Sequence, residues 1–311
     1  MHIIEASERF FNEYSDRLFS GEAALCRPFS AAALVGEGSE CFGFDDEISL
    51  DHDVDAGFCL ILEENAFKKY GTALKKAYNA LPKEYCGIKR NDASAFFSAR
   101  RGVFSTAGFY KSLIGAEGVP KTLDEWRKIP EYALASAVNG KVFCDNYGEF
   151  TKIRNELLKG YPKDVKLKKL AARLSSAAQY GQYNFPRSCR RKEYGAAALC
   201  LNGFVTSVVS AIYLLNDRYM PYYKWCLKGM KALPLLGDSE KVLEFLLCEE
   251  TSEKTASFKA EIIEDVSRSV INALKELHLT NGNWDYLEPH AVSVQQKIEN
   301  RELLSLHIMA E

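Results

Sequence analysis

This chain has no C-x-x-C pair, no strong charge of either sign, no internal repeat and no low-complexity tract. Its nine cysteines (Cys26, Cys41, Cys59, Cys86, Cys144, Cys189, Cys200, Cys226 and Cys248) are odd in number and scattered. That spacing excludes a zinc ribbon or a disulfide framework and points to free thiols in a reducing, cytoplasmic setting. A formal net charge of −2 over 311 residues gives no global field for DNA or an anionic membrane. The opening segment, MHIIEASERFFNEY, lacks the basic and then apolar regions of a signal peptide. Long uncharged runs are scarce. One, from Gly195 to Leu215, approaches the length of a bilayer span, but it is rich in Ala, Gly and Ser, contains Asn202 and stands alone. It reads as a helix buried at the centre of a bundle, so no membrane is expected.

What is present suits a folded domain pair. The chain is 47% hydrophobic and 26% charged, and long enough for one large domain or two ordinary ones. Residues 1–150 carry 17 Lys and Arg against 23 Asp and Glu, and residues 151–311 carry 23 against 19. An acidic first half and a mildly basic second half fit a metal site and a surface that handles phosphate.

Hydrophobic periodicity divides the chain at the same place. Phe10, Phe11, Tyr14 and Leu18 predict an opening amphipathic helix, and Ala32 to Val35 a short strand. A second strand is expected to carry Asp51 and Asp53 and to continue through Phe58 to Leu62. Glu63 to Leu81 reads as a helix ended by Pro82. Tyr85 to Lys89, Gly102 to Ser105 and Lys141 to Cys144 read as strands, and Thr122 to Lys128 and Glu131 to Val138 as helices. Beyond residue 150 only helical patterns recur: Thr151 to Leu158, Val165 to Tyr180, Glu193 to Leu215, Tyr222 to Leu233, Glu240 to Leu247 and Lys259 to Leu277. The expected class is α+β: a mixed sheet with flanking helices over residues 1–150, then an α-helical bundle over 151–311 forming the other wall of a cleft.

The chemistry concentrates in GEGSECFGFDDEISLDHDVDAGFCLIL, from Gly36 to Leu62. Gly38-Ser39 precedes Asp51-His52-Asp53 by an eleven-residue gap. On a strand Asp51 and Asp53 share one face and His52 takes the other. A glycine turn lets backbone N–H groups approach phosphates closely, and paired carboxylates suit Mg²⁺, which prefers oxygen ligands. A solvated acidic loop is the simpler alternative. Against it, Pro28 to Phe67 holds ten acids and no Lys or Arg, and crowded carboxylates repel unless a cation intervenes. His52-Asp53 also matches the dipeptide of metal-dependent phosphohydrolases, but the apolar run after it suits a strand, and His2, His278, His290 and His307 lie far off.

Gly38-Ser39 and Asp51-His52-Asp53 resemble the signature of the polymerase-beta-like nucleotidyltransferase superfamily, which includes the kanamycin and lincosamide nucleotidyltransferases. The string GSECFGFDDEISLDHD is similar to a bacterial family within it known as a domain of unknown function. FCDNYGEFTKIRNELLKGYP (Phe143 to Pro162) and LNDRYMPYYKW (Leu215 to Trp225) look like the same family. The resemblance implies that Gly38 and Ser39 bind the triphosphate and that Asp51 and Asp53 are the catalytic metal ligands. It implies Mg²⁺ as cofactor, ATP or another nucleoside triphosphate as co-substrate, and transfer of AMP to a hydroxyl of an acceptor. A small molecule is favoured over protein or RNA for that acceptor. The superfamily adds a third carboxylate from a neighbouring strand, and Gly102 to Thr106 has none. Asp145 and Glu149 are the nearest later acids, and Asp145, where a strand ends in a turn, could simply cap it. The alternative is therefore a catalytically inactive nucleotide-binding sensor or interaction protein.

Other candidates have plain structural alternatives. Asp45 and Asp46 could support the site or simply solvate a turn, and Glu40 could orient Ser39 or a metal-bound water. Arg187 and Arg190, in a basic cluster with Arg191 and Lys192, could reach nucleotide phosphates or start a solvated helix. Tyr222, Tyr223 and Trp225 read as core-and-rim aromatics, with base stacking the alternative. Glu193 is a candidate base toward the acceptor or a surface helical residue.

Overall fold

A computed structural model describes residues 2–46, 55–90 and 100–311. The chain is α+β and divides into two compact units, Met1–Pro120 with Ile129–Lys159, and Lys121–Lys128 with Gly160–Glu311.

In the first unit helix α1 (Ile3–Leu18) leads to strands β1 (Ser30–Leu34) and β2 (Cys59–Leu62), then helix α2 (Glu64–Asn79). A hairpin of β3 (Glu84–Tyr85) and β4 (Ile88–Lys89) follows, then β5 (Gly102–Ser105) and α3 (Thr106–Ile114). After α4 (Leu123–Lys128), which belongs to the second unit, come α5 (Glu131–Val138), β6 (Lys141–Asp145) and α6 (Glu149–Leu157). The sheet is mixed, in the order β5-β2-β1-β6. β1 is antiparallel to both β2 and β6, and β5 runs parallel to β2. The two central strands, SAAAL and CLIL, are buried at every position, as expected of strands covered on both faces. Phe10 and Phe11 of α1 pack edge-on against Phe58, and Leu60, Leu62, Leu74 and Tyr78 complete this core.

Two expectations need correcting. The strand predicted to carry Asp51 and Asp53, which lie outside the described residues, and to continue through Phe58 to Leu62 is formed over Cys59–Leu62, and residues 55–58 are not part of it. The Asp55 carboxylate accepts from the Gly57 N–H at 2.6 Å, and the Tyr78 hydroxyl donates to the Phe58 carbonyl while accepting its N–H. The Gly57 and Phe58 N–H groups are thereby taken from a ladder, while the Phe58 carbonyl also accepts from Gly102 N at 3.1 Å. Tyr85 to Lys89, predicted as one strand, is a tight hairpin with Glu84 opposite Lys89. Its turn residues, Cys86 and Gly87, both have positive φ, the geometry that two-residue hairpin turns require.

The second unit is helical. Besides α4 it contains α7 (Lys163–Ala177), α8 (Phe185–Arg190), α9 (Tyr194–Leu215), α10 (Tyr223–Met230), α11 (Glu240–Cys248), α12 (Ala256–Glu276), α13 (Leu287–Gln295) and α14 (Arg301–Ser305). The helix predicted to run to Tyr180 passes instead into a π-helical turn, Ala178–Asn184. Pro186, which has no N–H to continue the ladder, follows at the start of α8. α9 is long and apolar enough to cross a membrane, and 72% of its most apolar window is buried. All nine cysteines are free.

Lys168 of α7 is fully buried. Its ammonium donates to Gln295 Oε1 at 3.0 Å and to the carbonyls of His307 and Ile308 at 2.7 and 2.9 Å. Burial, aided by nearby Arg127, lowers its pKa to about 8, whereas an unfolded lysine titrates near ~10.4. Below pH 8 both states carry the charge, and the folded state bears the full cost of burying it. Between these values the unfolded state binds more protons, so Lys168 favours folding increasingly as pH rises. Urea titrations of wild type and Lys168→Met at pH 7 and 10 should therefore show the stability difference shifting toward wild type at pH 10. A constant difference would contradict this linkage.

Candidate functional site

The sheet register locates the glycine turn. β1 leaves the sheet at Leu34, opposite Lys141 at the start of β6 and beside the entrances to β2 and β5. The turn of Gly36 to Gly38 follows at once and leads into a 3-10 turn, Ser39–Phe42. A hydrogen bond from Phe44 N to the Ser39 carbonyl closes it. Gly36 is clamped at both backbone groups by the Asn139 side chain, whose Oδ1 accepts from Gly36 N at 2.9 Å while Nδ2 donates to its carbonyl at 2.7 Å. Gly38 takes φ +120 and ψ 147, a conformation reserved for glycine. A Cβ there would fall on the carboxylate of Glu40.

Beneath the turn lies an ion pair that the sequence does not announce. Glu40 Oε1 accepts from Arg101 Nη2 at 2.5 Å, and both side chains are 2% exposed. The same guanidinium donates to the Val35 carbonyl at 3.3 Å, the Glu37 carbonyl at 3.2 Å and Cys41 Sγ at 3.0 Å. Burial pushes the Glu40 carboxyl upward, and Arg101 pulls it back. Burial also pushes the Cys41 thiol up to about 12, so it is protonated at neutral pH. The carbonyls of Val35 and Glu37 are thus turned onto Arg101. The N–H groups of Glu37 and Gly38 have no acceptor among the described residues. A small cavity of about 60 Å³ beside the turn is lined by Val35, Gly36, Phe104, Phe109 and Leu113, with Arg100 and Glu37 at 4.0 Å from each other.

Of the residues nominated from sequence, Gly38, Ser39, Glu40, Asp45 and Asp46 follow one another on this turn. Asp51 and Asp53 lie outside the described residues. Asp45 Oδ2 accepts from Ile3 N at 3.1 Å, while its buried Oδ1 finds no partner among the described residues. Glu40, which the sequence offered as a residue that could orient Ser39 or a metal-bound water, pairs through Oε1 with Arg101. The same pair corrects the view that this acidic stretch lacks cations. Arg101 and Arg100 supply them from the entrance to β5, more than sixty residues along the chain.

Asp145 pairs with Ala31, at the end of β1 remote from the turn. Its two oxygens accept from Gly148 N and Thr151 N at 2.8 Å, starting α6, so it serves as a cap. β5 presents Gly, Val, Phe and Ser and no acid. Among the described residues no cluster of three His, Cys, Asp or Glu side chains could hold a metal ion. In the second unit Arg187 stacks on the Tyr183 ring at 4.5 Å, and Arg190 ends α8. Glu193 occupies the N-cap position of α9 without a side-chain capping bond. Tyr222 and Tyr223 lie 4.4 Å apart at their ring centres and are exposed.

Arg101 and Asn139 escape sequence reading. Each is a polar residue just outside a strand, a common position, and only pairing the strands brings them to the turn.

Residues 126–226 match the family described as a domain of unknown function, DUF4037. The match spans both later segments, 143–162 and 215–225, in which the resemblance was read. No curated protein matches the chain. Among solved structures the chain is similar to a nucleotidyltransferase-like protein from Exiguobacterium sibiricum 255-15, at 12% identity and a TM-score of 0.36, covering 90% of this chain and 81% of that one.

Proposed function

We propose that this protein is a Mg²⁺-dependent nucleotidyltransferase that moves AMP from ATP to a hydroxyl of a small acceptor. The observation that carries the reading is the glycine turn: two backbone N–H groups without acceptors among the described residues, on a loop whose carbonyls are tied down to Arg101. Such a turn suits the terminal phosphates of a nucleotide. The carboxylates of Asp51 and Asp53, twelve and more residues further on, supply the hard oxygen donors that Mg²⁺ requires. The buried Oδ1 of Asp45, without a partner among the described residues, adds acceptor capacity at the near end of the connecting segment. When bound, Mg²⁺ would neutralise charge developing on the attacking and leaving oxygens. Gly38 would let the backbone approach the phosphates, and Ser39 would add a hydroxyl.

Titration calorimetry with ATP, with and without Mg²⁺, tests the site. Binding should require Mg²⁺, and Asp51→Asn and Asp53→Asn should each abolish the metal-dependent part. If both variants bound Mg-ATP like wild type, the assignment would fail. Pyrophosphate release across a panel of hydroxylated acceptors then tests transfer. A second reading, nucleotide binding without transfer, is favoured by the acid-free β5 and by the capping role of Asp145. Tight Mg-ATP binding with no turnover on any acceptor would select it.

A further inference from the structure

Arg101 makes more bonds to the glycine turn than its ion pair requires. Its guanidinium reaches two carbonyls of the turn, the Glu40 carboxylate and the Cys41 sulfur, and at 2% side-chain exposure it cannot touch a ligand. The planar fork of arginine can hold several acceptors in fixed directions at once, which a lysine ammonium on its flexible stem cannot. Asn139 grips Gly36 from the start of β6, so the turn is held from two sides by side chains of other strands' ends. Glu40 closes the arrangement. Its carboxylate fills the space where a side chain on Gly38 would lie, so turn and ion pair are one packed object.

We propose that Arg101 is the positioning residue of the glycine turn, binding the Val35 and Glu37 carbonyls and the Glu40 carboxylate together so that the Glu37 and Gly38 amides are presented to the terminal phosphates of a nucleoside triphosphate. This rests on the nucleotide reading for the identity of the ligand, and on the bonds above for the role of the residue. Glu40 is then the counter-ion of the positioning group and contributes no oxygen to a metal.

The test compares wild type, Arg101→Lys and Asp51→Asn in the full chain. Mg-ATP titration, thermal melting and amide hydrogen exchange are measured on each. Lysine preserves a charge beside Glu40, so the core retains an ion pair while the fork is lost. Mg-ATP affinity of Arg101→Lys should fall roughly tenfold or more, as when supporting side chains behind a binding group are removed. Exchange at Glu37 to Ser39 should accelerate roughly tenfold while β1 and β2 stay protected, which a general loss of stability would not produce. Should Arg101→Lys not fold, the double variant Arg101→Met with Glu40→Gln, which removes both buried charges together with the fork, replaces it with the same expectations. A variant that binds Mg-ATP as wild type does, with unchanged exchange at the turn, overturns the proposal. If wild type binds no Mg-ATP, the nucleotide reading falls. Turn-confined exchange would then still support Arg101 as the holder of the turn, and unaltered exchange would overturn that too.

Discussion

Glu40→Ala should destabilise the protein by about 3–5 kcal/mol, because it leaves the Arg101 guanidinium buried without its counter-ion. Both partners are 2% exposed, so water cannot replace the lost carboxylate without opening the turn. Arg101 would still hold the Val35 and Glu37 carbonyls, but these neutral acceptors do not compensate a full charge. Glu40→Gln should cost somewhat less, since it keeps the volume and an oxygen that can accept from Nη2, although it too removes the counter-ion. Urea denaturation of the two variants beside wild type checks both values. A Glu40→Gln protein as stable as wild type would mean that the charge of Glu40 is irrelevant and that only its volume and hydrogen bond count. A surface pair provides the contrast: Lys163 with Glu299 is mostly exposed on both sides, and Glu299→Ala should change stability by about 0–1 kcal/mol.

Gly38→Ala should weaken the protein by about 3 kcal/mol or more and remove nucleotide binding together with it. Two independent penalties meet at this position. The backbone conformation, φ +120 with ψ 147, is one that L side chains rarely adopt. The added methyl would also fall on the Glu40 carboxylate, which cannot swing away without leaving Arg101. Gly43, with φ +68 and open space around its Cβ position, carries only the first kind of penalty in its milder left-handed form. Gly43→Ala should therefore cost about 1 kcal/mol and leave Mg-ATP binding intact. Calorimetry and urea titration on the two alanine variants separate these outcomes. A Gly38→Ala protein that folds and binds nucleotide normally would show that the turn is not the phosphate cradle.

Much of the fold was legible in the chain because its signals are local. The uniformly apolar runs of β1 and β2 and the spacing of Phe10, Phe11 and Leu18 each report burial within a few residues. The tight hairpin at Cys86-Gly87 was missed because five residues of mixed character fit a single strand equally well. The π-helical turn before α8 was missed because a proline signals a break in a helix without saying how its register changes. Glycine at position 38 was legible as a turn, but its reason was not. That reason is the Glu40 carboxylate lying against it.

By itself the sequence determined the α+β class, the apolar central strands, the buried character of α9 and the acidic Gly-Ser segment, since periodicity and composition are properties of neighbouring residues. Only the tertiary structure decided what partners that segment has. Pairing β5 beside β2 and β6 beside β1 brings Arg101 and Asn139 to the end of β1, from 61 and 103 residues away in the bonds they make to Glu40 and Gly36. The same pairing carries Asp145 to the opposite end, where it caps a helix. Charge can be counted along a chain, but whether a carboxylate faces a metal, an arginine or a helix start depends on strand order and register, which no local pattern encodes.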